Sequence, residues 1–346
     1  MEETKATEIA SFPPNYLLEN IVVRHDGSII ITAYNQRELY YLTNPDLGPV
    51  KPRLIHTFEH YPTGIVEGQP DVFYISTITI MRDKDEKGPC RLYKLDMRKF
   101  KSDKSPIPEL FLTFPAEARG LNGSCALSRS VFLLADSWSS QIWRVDIPEE
   151  GKGGGPPSVR SWHKHDMMDR STDPRKADVP GVNGIKYHSG THHVYFTTTS
   201  QTIFASIKVN PDTLESIGDP VEVTDRWMWA DDFIIDEIAN VAYVTTHRQN
   251  SIEQIDLKTG AQRTCIGTPV RPDLLLGPTC GAWTQNPEDH GRRAYFLTEG
   301  GHMNPYEGVF RNAKVLRVEF SDAGRSSTGL IGTLYQWFQM AKSVFN

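Results

Sequence analysis

The chain has 346 residues and a mass of 39.1 kDa, of which 38% are hydrophobic, 23% charged and 10% aromatic. That composition supplies ample core and excludes disorder, collagen and coiled coil. A formal charge of −6 and a pI near 6.0, with no basic stripe, exclude a surface that tracks nucleic-acid phosphates.

No apolar run approaches the roughly 18 residues of a membrane span, and the first eight residues are polar, without an apolar leader. Four scattered cysteines (Cys90, Cys125, Cys265 and Cys280) form no C-x-x-C pair, so we expect a reduced, cytoplasmic protein. In that setting the Asn122-Gly-Ser124 sequon is incidental.

A length prior of roughly 150 residues per domain suggests two domains. An internal repeat points elsewhere: a short apolar strand, a turn, a second apolar strand ending in Thr, Ser or Asp, a polar loop, and a third strand. The first copy runs from Glu19 to Thr32, with a hairpin signal at Asp26-Gly27, and ends with the strand Glu38 to Leu42. The second begins at Thr63 and continues through Val72–Ser76 to Arg91–Leu95. The third takes Leu121–Ser124, Val131–Asp136 and Gln141–Asp146. The fourth takes Val182–Ile185, His193–Thr197 and Ile203–Ile207. The fifth takes Asp231–Asp236, Val241–Thr245 and Ser251–Asp256. The sixth takes Pro278–Trp283, Arg293–Thr298 and Lys314–Val318.

Six units of three or four strands, with almost no helical pattern between them, predict an all-β, six-bladed β-propeller spanning residues 1–320 as a single domain. The units lack the Gly-His and Trp-Asp signatures of WD40 repeats, and their spacing of 44 to 61 residues is too long for that class.

Two stretches interrupt the pattern. Glu149 to Pro157 reads as a flexible connector. The polar insertion from Trp162 to Lys176, within the wider segment 158–180, is either a surface excursion or a lid over the pore. In the tail, 321–346, Leu330, Leu334, Trp337, Phe338, Ala341 and Phe345 fall at helical spacing, which predicts a short C-terminal helix docked on the propeller or on a partner or membrane surface.

In a propeller the innermost strands flank the axis, so their equivalent ends converge. Those ends carry Glu19, Thr63, Asn122, Asn183, Asp231 and Thr279. Two carboxylates and two carboxamides aimed at one point make an oxygen-rich set suited to Ca²⁺; they serve equally to bond neighbouring strand ends or a channel water.

Leu18-Glu-Asn20, Leu121-Asn-Gly123, Val182-Asn-Gly-Ile185 and Asp231-Asp-Phe-Ile-Ile-Asp236, taken in order, resemble the senescence marker protein/gluconolactonase (regucalcin-like) family of six-bladed propellers. The resemblance covers about residues 15–320. It implies metal ligands at Glu19, Asn183 and Asp231, with Asn122 on the substrate side and an aspartate or metal-bound water acting on a lactone. Family members place an Arg two residues before the substrate-side Asn; here that position is Gly120, with Arg119 one step away. Pro278-Thr-Cys280 and Thr246-His-Arg-Gln-Asn250 are more similar to a fungal branch. Some members of that branch serve natural-product pathways as hetero-Diels–Alderases joining a quinone methide to a humulene-type sesquiterpene.

Loops on the ring side add Tyr34, Thr77, Trp138, His247, Glu299 and His302, and Trp227, Trp229 and Trp283 flank ring positions. That mixture suits an apolar small-molecule ligand whose carbonyl is held by a few donors. For a cycloaddition, Asn122, His247, His302 and Tyr34 are the candidate catalytic donors. Trp138, Trp229, Trp283, Thr77 and Thr279 are the candidate binding wall. No cofactor is required for such a reaction, although Ca²⁺ on the axis is expected if the lactonase chemistry applies.

No G-x-S-x-G, H-E-x-x-H, phosphate loop or dinucleotide fingerprint is present. His163 and His165 lie in a charged loop and read as solvated. Three readings follow: a pericyclase, a calcium-dependent lactonase or esterase, and a propeller that binds a ligand or partner without turnover.

Overall fold

The computed structural model describes residues 4–48, 50–79, 88–98, 100, 106–148, 155–224, 229–267 and 274–320. Twenty-four strands form six four-stranded antiparallel sheets, the blades of a six-bladed propeller. Among the described residues the only helical segments are three-residue 3₁₀ turns. The amphipathic tail, the start of the 149–157 connector and Trp227 lie outside the described residues.

From axis to rim, blade 1 takes Leu18–Val23, Ile29–Ala33, Glu38–Leu42 and Arg53–Thr57. Blade 2 takes Tyr61–Glu67, Val72–Ile78, Arg91–Asp96 and Glu109–Thr113. Blade 3 takes Leu121–Ser128, Val131–Asp136, Gln141–Asp146 and Ser158–Lys164, and blade 4 Val182–His188, His193–Thr198, Ile203–Val209 and Ser216–Thr224. Blade 5 takes Ala230–Asp236, Val241–Thr246, Ser251–Asp256 and Gln262–Gly267. Blade 6 is composite: Pro278–Trp283, Arg293–Thr298 and Asn312–Glu319 come from the end of the chain, and its rim strand, Lys5–Pro14, from the beginning. Lys5 pairs with Glu319 and Pro14 with Asn312, closing the ring by main-chain hydrogen bonds.

The second strands are apolar throughout because both faces are covered by neighbouring blades; Ile29, Ile30 and Ile31 are fully buried. Six apolar clusters result, one in each interface between blades. Each fully buried Ile, Leu or Phe contributes about 1.5–3 kcal/mol, so the interfaces dominate stability. The rim strands are mostly exposed or half-buried, so their composition is not that of a two-sided core strand. That is why sequence pattern reveals three strands per unit more readily than four. Ser158–Lys164 is such a rim strand, so the insertion expected from Trp162 begins inside blade 3 and only its latter part leaves the sheet. At the first hairpin Gly27 takes φ 81°, the left-handed conformation the tight turn requires.

Candidate functional site

Each innermost strand loses register with its partner at one place near its start. The breaks fall between Leu18 and Asn20, Pro62 and Ile65, Leu121 and Ser124, Val182 and Ile185, Ala230 and Phe233, and Pro278 and Gly281. Each contains one ring residue: Glu19, Thr63, Asn122, Asn183, Asp231 or Thr279. A bulge inserts an unpaired residue and re-aims its side chain. Six equivalent bulges therefore turn six polar side chains onto the axis.

The carbonyls freed by the bulges are taken by hydroxyls of the adjoining blade. Thr32 Oγ1 donates to Thr63 O (2.8 Å), Thr197 Oγ1 to Asp231 O (2.6 Å) and Thr245 Oγ1 to Thr279 O (2.7 Å). Thr279 Oγ1 does the same for Leu18 O (2.7 Å). The Thr and Ser residues ending the second strands are thus inter-blade fasteners as well as ring neighbours.

The ring residues form the floor of a cavity of about 210 Å³ open to one face of the propeller. Its wall is largely apolar: Leu17, Tyr34, Ile78, Leu121, Trp138, Val179, Pro180, Trp229 and Met303. Asp178, Val179 and Pro180 come from the end of the insertion after blade 3, which forms one side of the rim. Asp136 fixes the adjoining wall, where the Gly181 N–H donates to Ser137 O (3.0 Å). Its carboxylate accepts from the backbone N–H of Arg119, Gly120, Trp138 and Ser139 and from Trp143 Nε1.

A Cβ at position 120 would stand 1.9 Å from Trp138 Cδ1. The residue that stands where the family resemblance implies an arginine is thus a glycine, and the indole of Trp138 takes the space.

The electrostatics of the floor are unusual. The Glu19 carboxylate and the Asn122 carboxamide make no hydrogen bond among the described residues. Asn183 Nδ2 donates to Asp231 Oδ1 (2.7 Å) and to Thr199 Oγ1 (2.9 Å). Because the Thr199 hydroxyl is itself committed to Ala230 O (2.7 Å), the Asn183 amide nitrogen is locked toward these acceptors. Its Oδ1 is left for a ligand.

Burial, reinforced by Asp231, Asp232 and Glu299 and opposed by His247, pushes Glu19 up to about 8. Burial also raises Asp231 to about 7, Asp232 and Glu299 adding to it while His247 and the Asn183 amide restrain it. His247 lies 3.4 Å from Glu299 Oε1. Burial disfavours the imidazolium, but Glu299, Asp231 and Glu19 outweigh it and raise His247 to about 9. Near neutral pH the floor therefore holds an imidazolium beside a protonated Glu19 carboxyl and an Asp231 carboxyl close to its midpoint.

This donor set fits a hard divalent cation. Two carboxylates without enough partners and two carboxamide oxygens converge, and added positive charge would relieve the repulsion that raises both carboxylates. Among the described residues no group of three or more His, Cys, Asp and Glu could hold a metal ion, so such a site depends on the carboxamides. One residue beyond the ring, Asp232 turns away from the cavity to Lys186 Nζ (2.6 and 2.7 Å) and Cys280 Sγ (3.0 Å), making a buried polar plug.

Of the residues expected at the site, Glu19, Tyr34, Asn122, Trp138, Asn183, Trp229, Asp231, His247 and Thr279 line the cavity. Three do not. Trp283 lies at the far end of its strand between blades 5 and 6, where its Nε1 donates to Ile235 O (2.7 Å) and its ring packs on Tyr243 and Phe320. Four residues past Thr279, the strand has carried it away from the ring. His302 pairs through Nδ1 with Asn15 Oδ1 (2.7 Å) and stacks on Phe310; its neighbour Met303 takes the cavity position. Thr77 is fully buried within blade 2 and Ile78 faces the cavity instead.

Sequence reasoning missed the pairing of His247 with Glu299, and missed Arg248, Val179 and Pro180 on the rim. Only adjacency to His247 marked Arg248. Trp229 adopts φ 65°, rare for so bulky a side chain, and its carbonyl accepts the His247 backbone N–H (3.0 Å).

No family model matches the chain, and no curated protein matches it. Solved structures do. A luciferin-regenerating enzyme superposes with a TM-score of 0.64 at 12% identity, covering 91% of this chain and 95% of the other. A calcium-binding regucalcin from Agrobacterium tumefaciens gives 0.60 at 12% identity, over 91% and 96%. A gluconolactonase from Xanthomonas campestris gives 0.60 at 8% identity, over 92% and 90%. The structural neighbours are thus regucalcin- and gluconolactonase-type six-bladed propellers, several of them enzymes. At this level of identity the likeness concerns the fold. No described helix is long and apolar enough to cross a membrane.

Proposed function

We propose that the chain is a small-molecule enzyme whose axial cavity catalyses an intermolecular hetero-Diels–Alder cycloaddition between a quinone methide and a humulene-type sesquiterpene. The observation that supports this reading is the Trp138 indole packed over Gly120 on the cavity wall, above a floor whose donors include His247 and Asn122. A sugar-acid lactone would call for more charge on that wall; a conjugated, apolar ligand is matched by it.

The quinone methide contributes its O=C–C=C unit and the terpene one C=C. One C–C and one C–O bond form together, every atom is retained, and neither oxidant nor net proton transfer is needed. As the alkene donates electron density, negative charge grows on the carbonyl oxygen. The His247 imidazolium and the Asn122 amide would stabilise it. Holding both partners in a reactive pose contributes several kcal/mol more. A cavity of about 210 Å³ encloses one compact ring system, so the second partner approaches through the open mouth.

The test is product formation from a quinone-methide precursor and humulene. Rate and enantiomeric excess above background, retained in chelator and lost in His247→Ala and Asn122→Ala, support the reading. A racemic product at the background rate sinks it.

The facing carboxylates of Glu19 and Asp231 favour a second reading, a calcium-dependent lactonase or esterase. Glu19, Asp231, Asn183 and Asn122 would hold the cation, which when bound would polarise a carbonyl. His247 and Asp231 would then manage protons, and Trp138 and Trp229 would seat the leaving portion. Hydrolysis of aryl esters or lactones, abolished by chelator, would establish this alternative.

A further inference from the structure

The rim of the cavity carries charge that the floor chemistry does not use. Arg248 lines the mouth and is exposed, with its guanidinium carbon 4.0 Å from the centre of the Trp229 ring. Among the described residues it has no hydrogen-bond or ion-pair partner. Two more cations sit on the mouth tryptophans. Lys176 Nζ stands 5.6 Å from the Trp229 ring and Arg170 4.6 Å from the Trp138 ring. Each of those is already engaged: Lys176 donates to Ser200 O (2.8 Å) and Arg170 to Ala177 O (2.9 Å). In a chain of net charge −6, three cations stacked around one apolar opening are a local reversal of sign. The other charged groups of the cavity are Asp178 on the same rim and, deeper, Glu19, Asp231 and the His247 imidazolium.

A guanidinium lying on an indole keeps its in-plane N–H donors available at its edge. The stack also limits the rotamer freedom it must lose to bind. That fork matches a carboxylate or an ionised ring hydroxyl, and an anion there completes the valence of the least satisfied cation on the rim. Trp229 is held in an uncommon backbone conformation by the same segment that supplies His247, so rim and floor are set by one loop.

We propose that the Arg248–Trp229 stack is the specificity element of the cavity. It selects a ligand with a planar conjugated body and an anionic oxygen group, the body entering the pocket and the anion pairing with Arg248. This rests on the proposed function only in placing the ligand in the axial cavity. Binding is measured without turnover, so failure of the cycloaddition and failure of this assignment are read separately.

The experiment is calorimetric titration of the full chain with 2-naphthoate and with its neutral isostere 2-naphthamide, at low and high salt. The expected result is naphthoate binding about 10-fold tighter than naphthamide, equivalent to about 1.4 kcal/mol, with the preference shrinking in salt. Arg248→Ala should equalise the two probes; Arg248→Lys should retain part of the preference. Circular dichroism of each variant confirms the fold. Equal affinities in the native chain, absence of binding by both probes, or a preference that survives in Arg248→Ala would each overturn the assignment.

Discussion

Replacing Glu19 with Gln should stabilise the protein at alkaline pH and change little in acid. In the folded state Glu19 titrates near 8 because it is buried against Asp231; an ordinary glutamate titrates near 4.5. A carboxyl raised on folding keeps its proton in the native state over a pH range where the unfolded chain has released it. Stability is then full below about 4.5 and falls as pH rises toward 8. At about 1.36 kcal/mol per pH unit the full gap amounts to about 5 kcal/mol. Water in the cavity reaches the half-buried carboxylate and Asp231 shares the repulsion, so about 2 kcal/mol is the realistic loss.

Asp231, raised to about 7, and His247, raised to about 9, act in the same direction, each losing its stabilising proton as pH climbs. Thermal melts at pH 5 and pH 9 measure the effect, and Glu19→Gln should gain about 3 °C over the native chain at pH 9 only. Millimolar calcium should recover the same stability in the native chain and not in the variant. A Glu19→Gln protein no more stable than the native chain at pH 9 would refute the reasoning, because the repulsion it relieves would be absent.

Glu299→Gln removes the largest group sustaining the His247 imidazolium, so the His247 pKa should fall from about 9; NMR titration of the labelled ring reads the shift directly. In Gly120→Ala, a methyl 1.9 Å from Trp138 forces the indole aside. The expected cost is about 1–3 kcal/mol in chemical denaturation, with a clear loss of aromatic-ligand affinity. Asp232→Asn strands the Lys186 ammonium beneath the floor and should cost about 3 kcal/mol. Much of that should return in the double variant with Lys186→Met, which a double-mutant cycle measures.

The blade count and the floor were legible because both rest on pattern. An apolar strand that carries one polar residue near its start, repeated six times, marks the bulges at Glu19, Thr63, Asn122, Asn183, Asp231 and Thr279. Beyond the bulge, local reasoning loses its footing. Trp283 is only four residues from Thr279, yet strand rise takes it to the far end of the blade. His302 and Met303 are neighbours in one loop, and only the packing of Asn15 and Phe310 decides which faces the cavity.

The partnership of His247 with Glu299 joins blades 5 and 6 across 52 residues, a separation no short-range pattern encodes. The rim strand Ser158–Lys164 was obscured for the opposite reason: with one face in water its composition reads as loop.

The composite sixth blade has a consequence for how the protein is made. Lys5 pairs with Glu319, so Lys5–Pro14 leaves the ribosome with no ladder to join until Asn312–Glu319 is synthesised. At about 5–20 residues per second that interval is on the order of 15–60 s. Throughout it, Asn312–Glu319's future partner is an open edge available to other chains. A circular permutant with Lys5–Pro14 transplanted behind Glu319 would shorten the wait to the length of one hairpin. Its yield in rapid expression, compared with the native order, would show how far the timing of closure governs recovery of folded protein.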